Sequence, residues 1–151
     1  MGIDVTLKYK GIGLYILGTV TTGITKLCTS SYYWNSGLNG YSVLASDRYH
    51  PVNNPEGTQP RLTTMAADNN QRNSTFWTEN GSFFRLKNIE LSYTLANKSG
   101  KGIGKNYKSF LRGTNLFVLS GIKDLDPERI LSGVTNYPTY RTVTGGLSIS
   151  F

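Results

Sequence analysis

Apolar and polar residues alternate along the last stretch of the chain, RTVTGGLSISF. The apolar positions are Val143, Leu147, Ile149 and Phe151, and the residues between them are mostly Thr, Ser and Gly. A period of two is typical of a β-strand with one face in apolar surroundings. We therefore predict a strand over residues 140–151 that continues to the terminal Phe.

The same alternation predicts four further strands, over residues 2–9, 12–22, 82–96 and 107–119. Only Lys10 and Gly11 separate the first two, which predicts a tight hairpin. In the third strand the apolar positions are even at Phe84 and Leu86 but odd from Ile89 onward. This change of phase at Lys87–Asn88 indicates a β-bulge.

The connections between the predicted strands alternate between short and long. The turns at 10–11 and 97–106 are short, whereas the regions of little periodicity over 23–81 and 120–139 are long. Short turns at one end and long loops at the other are typical of outer-membrane β-barrels. The predicted fold is therefore all-β, with about five antiparallel up-and-down strands from the C-terminal end of a transmembrane barrel. In this orientation 23–81 is one very long extracellular loop.

Composition and charge narrow the possible partners but indicate no catalytic chemistry. The formal net charge is +7, yet Lys98, Lys101, Lys105 and Lys108 cluster around one turn and the other basic residues are scattered. This distribution favours a solvated loop tip, so we expect no nucleic-acid partner. The single cysteine excludes an internal disulfide. The first residues alternate like a strand and do not resemble a signal peptide.

No catalytic constellation is visible in the sequence. GKGIGKN over 100–106 lacks the spacing and the Ser or Thr of a phosphate-binding loop and is interpreted as a turn. His50 is the only histidine, so no histidine-based metal site is predicted. Asp124, Asp126 and Glu128 could bind Ca²⁺ through oxygen atoms, but Pro127 favours a turn that the acids stabilise. We therefore expect no enzyme, no metal and no cofactor.

Aromatic residues of the long loop are the main candidates for contact with a ligand or partner. They are Tyr32, Tyr33, Trp34, Tyr41, Tyr49 and Trp77. Flat rings with a polar edge can stack on sugars, although such rings more often pack a loop on itself or against a partner. For Phe76 and Trp77, next to the third strand, an interfacial aromatic girdle is a further possibility. We select Trp34, Tyr49, Trp77, Asp126 and Glu128 as the substrate- or partner-binding loop residues.

Several segments, in order along nearly the whole chain, resemble the SusC/RagA family of TonB-dependent outer-membrane transporters. They are YKGIGLYILGTV, DRYHPVNNPEGTQPRL, FWTENGSFFRLKNIELSYTL, GTNLFVLSGIKDLDPE and YPTYRTVTGGLSISF. Two positions depart from the family pattern. Tyr49 stands where Trp is more usual, and Gly13 where Asp is more usual.

The resemblance implies a fragment of an outer-membrane importer of oligosaccharides or peptides in a Gram-negative bacterium. It implies these partners: outer-membrane lipid, the rest of the barrel and its plug, TonB, a SusD-like surface lipoprotein and the barrel-assembly machinery. Residues 1–151 are expected to lack the plug, TonB box and signal peptide, and not to transport alone. Phe151 then resembles the terminal aromatic of barrel assembly, with Val143, Leu147 and Ile149 facing lipid.

A different hypothesis is a soluble β-rich module that binds a glycan or polyanion. It accounts for the basic charge and the loop aromatics, but not for the terminal alternation or the regular loop asymmetry. The two hypotheses differ in whether the folded chain requires lipid or detergent.

Overall fold

The computed structural model describes residues 1–35, 41–64, 69–96 and 106–150, and these divide into two compact units. The sheet unit comprises 1–22, 82–120 and 139–151, and the loop unit comprises 23–81 and 121–138. The strands are β1 (Gly2–Tyr9), β2 (Ile12–Thr21), β3 (Thr25–Leu27), β4 (Thr78–Asn80), β5 (Phe83–Ala96), β6 (Asn106–Ser120) and β7 (Thr142–Ser150). Short 3-10 helices span Val43–Asp47, Asn69–Gln71, Thr75–Trp77 and Ile130–Thr135. In the described residues, no helix has the length and hydropathy to span a membrane.

The sheet unit is one five-stranded sheet in the order β1-β2-β5-β6-β7, and every neighbouring pair is antiparallel. The prediction of an all-β, up-and-down antiparallel fold is thus confirmed. Within the described sheet, β1 pairs with β2 alone and β7 with β6 alone. The outer edges of β1 and β7 therefore have main-chain groups that this sheet does not use.

The predicted hairpin between β1 and β2 is confirmed. Tyr9 lies opposite Ile12, and Lys10 and Gly11 have φ angles of 46° and 87°. Two consecutive positive φ angles suit the twist of the flanking strands in a two-residue turn. Gly11 is also confined, because a Cβ added there would lie 2.6 Å from the carbonyl oxygen of Thr94.

The predicted bulge in β5 is also confirmed. On β2, the partners of Leu86 and Asn88 are the consecutive residues Gly18 and Leu17, so Lys87 is the additional residue. The β5–β6 register shifts at the same place, between Leu86 and Asn88. The extra residue brings Leu86 back to the face that Ile89 occupies, and so corrects the change of phase seen in the sequence.

Strand alternation and register give this sheet one apolar face and one polar face. The apolar face carries Ile3, Val5, Leu7 and Tyr9 of β1; Ile12, Leu14, Ile16 and Val20 of β2; Phe84, Leu86, Ile89, Leu91, Tyr93 and Leu95 of β5; Tyr107, Leu111, Phe117 and Leu119 of β6; and Val143, Leu147 and Ile149 of β7. The rings of Phe84 and Phe117 lie 5.7 Å apart on it. The polar face carries mainly hydroxyl and charged side chains, among them Asp4, Thr6, Lys8, Glu90, Lys108, Arg112, Thr144 and Ser148.

The loop unit has its own strand pair and its own small core. β3 pairs antiparallel with β4, and Cys28, Ile122 and Ile130 are buried with Tyr33 and Leu125 packed against them. The segment 23–81, predicted as a single loop of little structure, therefore contains two strands and several 3-10 turns. Strands of three residues are too short to leave a recognisable period of two in the sequence. The turn at 97–105 lies outside the described residues.

We expect Gly11→Ala to lower the free energy of unfolding of the sheet unit by about 1–2 kcal/mol or more. The alanine Cβ meets the positive φ and the Thr94 carbonyl together. Gly2→Ala is the matched control, because no atom lies within 4 Å of its added Cβ and its φ is not positive. Urea unfolding of both variants in detergent measures the difference, and equal losses would contradict the hairpin geometry.

Candidate functional site

The polar face of the sheet contains a compact ionic cluster. The Glu90 carboxylate accepts hydrogen bonds from Lys108 Nζ at 2.8 Å and from Arg112 Nε and Nη2 at 2.8 and 2.5 Å. Glu90 is nearly buried, whereas Lys108 and Arg112 are partly exposed. With two cations and one carboxylate, the cluster carries a net positive charge.

The ring of Phe110 lies beside the two cations of this cluster. Lys108 Nζ and Arg112 Cζ lie 5.7 and 5.5 Å from the centroid of its ring, which is cation–π distance. The ring also covers Gly146 on β7, where an added Cβ would lie 2.5 Å from it. The cluster is therefore packed across β5, β6 and β7. Because its residues come from three strands, no local sequence pattern predicts it.

The residues predicted to face lipid lie together on β7. Val143, Leu147 and Ile149 are on the apolar face, with Leu147 84% exposed. Phe151 lies outside the described residues. Their placement on one face is observed, whereas their contact with lipid remains a prediction.

Two of the predicted loop residues come together in the loop unit. The rings of Trp34 and Trp77 lie 6.5 Å apart, and Phe76 meets Trp77 edge to face at 4.8 Å. Trp77 is buried, and its indole N–H donates to the carbonyl of Asn70 at 2.8 Å. These rings form one aromatic cluster, built by residues far apart in sequence.

The other predicted loop residues occupy different positions. Tyr49 is exposed, and its main-chain N–H donates to the carbonyl of Gln59. Asp126 Oδ1 accepts the main-chain N–H of Glu128, and the Asp126 carbonyl accepts the N–H of Arg129, both at 2.9 Å. Asp126 thus stabilises a turn around Pro127, which is the alternative that the Asp–Pro pattern favoured.

A pocket of about 340 Å³ opens beside the aromatic cluster, entirely within the loop unit. We call it the aromatic pocket. Its apolar lining is Cys28, Tyr33, Leu44, Phe76, Trp77 and Ile122, and its polar lining includes Thr58, Gln59, Glu79, Lys123 and Asp124. Among the described residues, no three His, Cys, Asp or Glu side chains are grouped so as to hold a metal ion.

Burial and hydrogen bonding shift the pKa of several groups around this pocket. Burial raises the pKa of Tyr33 above its usual value, and the neighbouring Cys28 thiol raises it further. Burial, with a hydrogen bond to Asp124, raises the pKa of Tyr32 to about 12. The Thr58 hydroxyl and N–H, 2.5 and 3.3 Å from Asp47 Oδ2, lower the pKa of that carboxyl. These hydrogen bonds link Asp124 and Thr58 of the pocket lining to the surrounding loop.

Comparison with known proteins identifies a sequence relative that matches nearly the whole chain. No family model matches the chain. A curated protein of Formosa agariphila, TonB-dependent receptor P26, is 32% identical to it over 99% of this chain. This similarity supports the resemblance to the SusC/RagA type of TonB-dependent transporter that the sequence segments indicate.

Solved structures of that type share the fold. The RagAB peptide importer in its closed-closed state matches 99% of the chain with a TM-score of 0.72 and 24% identity. Its open-open state matches with a TM-score of 0.67 and 21% identity. The chain spans 16% of the length of the curated relative and 17% of the RagAB chains. It thus corresponds to about a sixth of the proteins that it resembles.

We expect alkaline pH to destabilise the loop unit between about pH 10 and pH 12. Unfolded tyrosines ionise near pH 10, whereas Tyr32 and Tyr33 stay neutral to higher pH in the folded chain. Over this interval the unfolded state alone releases their protons, so the free energy of unfolding falls as pH rises. Tyr32→Phe combined with Tyr33→Phe should flatten this decline, as followed by urea unfolding at each pH. An unchanged slope would contradict the assigned pKa shifts.

Proposed function

We propose that this chain forms part of the wall of an outer-membrane barrel, with the apolar face of its sheet in contact with lipid hydrocarbon. The observation that carries the proposal is the five-stranded sheet itself, whose apolar side chains share one face and are largely uncovered. Leu7, Leu111 and Leu119 are each more than half exposed on that face. In water such an expanse is costly, whereas in a bilayer it is stabilising.

The height of the apolar face supports this proposal. Along β5 the face runs from Phe84 to Leu95, with one residue consumed by the bulge at Lys87. At about 3.3 Å per residue this is roughly 33 Å along the strand, or about 25 Å after a tilt of about 40°. That height equals the apolar band of an outer-membrane barrel. Tyr9, Tyr93 and Tyr107 near one end of the face, with Phe84 and Phe117 near the other, suit the two interfacial girdles.

The opposite face suits the interior of a barrel. Lys108 and Arg112 form ion pairs with Glu90 there, and hydroxyl side chains surround them. Charged groups in transmembrane barrels are tolerated on the interior face and costly on the lipid face. We therefore assign the polar face to the lumen, where the plug of the larger protein would lie.

The open edges suit pairing with further strands. β1 and β7 each lack a second neighbour in the described sheet, and an unpaired strand edge cannot lie in hydrocarbon. Relatives about six times longer supply a context in which these edges pair. In this proposal residues 1–151 do not transport alone.

The activity that we infer for the larger assembly is TonB-driven import of a nutrient across the outer membrane of a Gram-negative bacterium. The RagAB name supports a peptide as substrate, and an oligosaccharide is the alternative. The partners in this proposal are TonB, the barrel-assembly machinery and a SusD-like lipoprotein. The loop unit connects the strand ends opposite the Lys10–Gly11 hairpin, so we assign it to the extracellular side.

Adjacent residues on opposite faces of β1 test the lipid assignment. Val5 lies on the apolar face, level with Ile16 and Ile89, and Thr6 lies on the polar face opposite Tyr15. We expect Val5→Arg to lower the free energy of unfolding from phospholipid vesicles by about 2–4 kcal/mol, because an arginine would enter hydrocarbon. Thr6→Arg is the matched control and should change it by about 1 kcal/mol or less.

The measurement is urea unfolding of the vesicle-inserted chain, followed by circular dichroism. Equal losses for both variants would overturn the assignment of faces. A chain that is monomeric and fully folded in water without lipid or detergent would instead favour the soluble binding module.

A further inference from the structure

The aromatic pocket of the loop unit combines flat apolar walls with acidic groups. Tyr33, Phe76 and Trp77 contribute ring surfaces, and Trp77 is held by its contacts with Trp34 and Asn70. Its volume of about 340 Å³ is near the lower end of the range for small-molecule sites, about 300–1,000 Å³. It is therefore of a size for one long side chain or a similarly small group.

The charges around this pocket differ from those of the whole chain. The chain has a formal net charge of +7, but the pocket lining has two carboxylates, Glu79 and Asp124, and one ammonium group, Lys123. The hydroxyl of Tyr32 forms a hydrogen bond with Asp124. Lys26, opposite Glu79 in the β3–β4 register, donates from Nζ to the carbonyl of Pro127 at 2.6 Å. The pocket is thus a locally acidic, aromatic site in a basic protein.

We propose that the aromatic pocket binds the cationic side chain of a peptide, a lysine or an arginine. Aromatic faces attract ammonium and guanidinium groups, and carboxylates form charge-assisted hydrogen bonds with them. The hydrocarbon stem of the same side chain packs against Phe76 and Ile122. An acidic side chain is repelled by Glu79 and Asp124, and a neutral sugar gains stacking but does not use either negative charge.

This inference rests on the proposed function and makes it more specific. The proposed importer takes a peptide or an oligosaccharide, and the two carboxylates favour the peptide and, among peptides, those with basic residues. It assigns Trp77 a role in binding, whereas Tyr49, Asp126 and Glu128 do not line the pocket.

The chain contains its own reporter for a binding experiment. Its two tryptophans are Trp34 and Trp77, which are in ring contact, and Trp77 lines the pocket. The purified 151-residue chain in detergent is titrated with the tripeptides Gly-Lys-Gly and Gly-Arg-Gly while tryptophan fluorescence is recorded. Gly-Glu-Gly, Gly-Leu-Gly and maltotriose are titrated in the same way. We expect saturable changes with the basic peptides alone, weakened by added salt.

Single substitutions then locate the interaction. Asp124→Asn and Glu79→Gln should each weaken binding of Gly-Arg-Gly by about five- to tenfold, because each removes one charge-assisted contact. Glu56→Gln is the matched control, since this exposed glutamate lies outside the pocket lining, and it should leave the affinity unchanged. Near-ultraviolet circular dichroism of each variant verifies that the loop unit remains folded.

The inference would be overturned by equal responses to Gly-Lys-Gly and Gly-Glu-Gly, by no response to the basic peptides, or by equal affinities for Glu56→Gln and the two pocket variants. Saturable binding of maltotriose in preference to the peptides would assign the pocket to a sugar. Failure here is distinct from failure of the proposed function, because vesicle insertion of Val5→Arg and Thr6→Arg is measured without any ligand. A chain that inserts as expected but ignores basic peptides loses only the pocket assignment.

Discussion

The uncovered apolar face of the five-stranded sheet determines which surroundings the sheet unit can occupy. Soluble monomers rarely expose continuous apolar patches of more than a few hundred Å², yet this face extends across all five strands. Apart from the three-residue pair β3–β4, the described residues form no second sheet, and their helices are short 3-10 segments. The fold is therefore suited to surroundings that are themselves apolar, and the polar face is suited to the opposite side of the same wall.

The local features of the sheet preserve this division into two faces. Without the bulge at Lys87, Phe84 and Leu86 would lie on the face of Glu90, because a shift of one residue reverses every side chain beyond it. The Lys10–Gly11 turn fixes the register of β1 against β2 from the other end. The Glu90 carboxylate forms ion pairs with Lys108 and Arg112 on the polar face, so this nearly buried negative charge has cationic partners. The loop unit has a separate core around Cys28 and Ile130, so its pocket does not depend on the lipid assignment.

The sequence predicted the features that repeat over many residues and missed those assembled from distant segments. Long strands leave a period of two, and a bulge leaves a change of phase, so the hairpin at Lys10–Gly11 and the bulge at Lys87 could be predicted. β3 and β4 have three residues each and leave no such pattern. The aromatic pocket joins Tyr33, Trp77 and Asp124, whose proximity no spacing encodes. Trp34, Trp77 and Asp126 are predicted to contact a ligand from their residue types alone, and that contact stays a prediction. The turn that the Asp–Pro pattern at Asp126 indicates is present.

A spin-label accessibility scan along β5 in phospholipid vesicles tests whether the apolar face of the sheet contacts lipid. Single cysteines are introduced from Phe84 to Leu95 in a Cys28→Ser background, and collisions with oxygen, which enters lipid, are compared with those of a water-soluble nickel complex. We expect oxygen accessibility at Phe84 and Leu86 and then at Ile89, Leu91 and Tyr93, with the change of phase at Lys87. Uniform accessibility to the nickel complex, or a period of two that continues through Lys87 without a shift, would contradict this expectation.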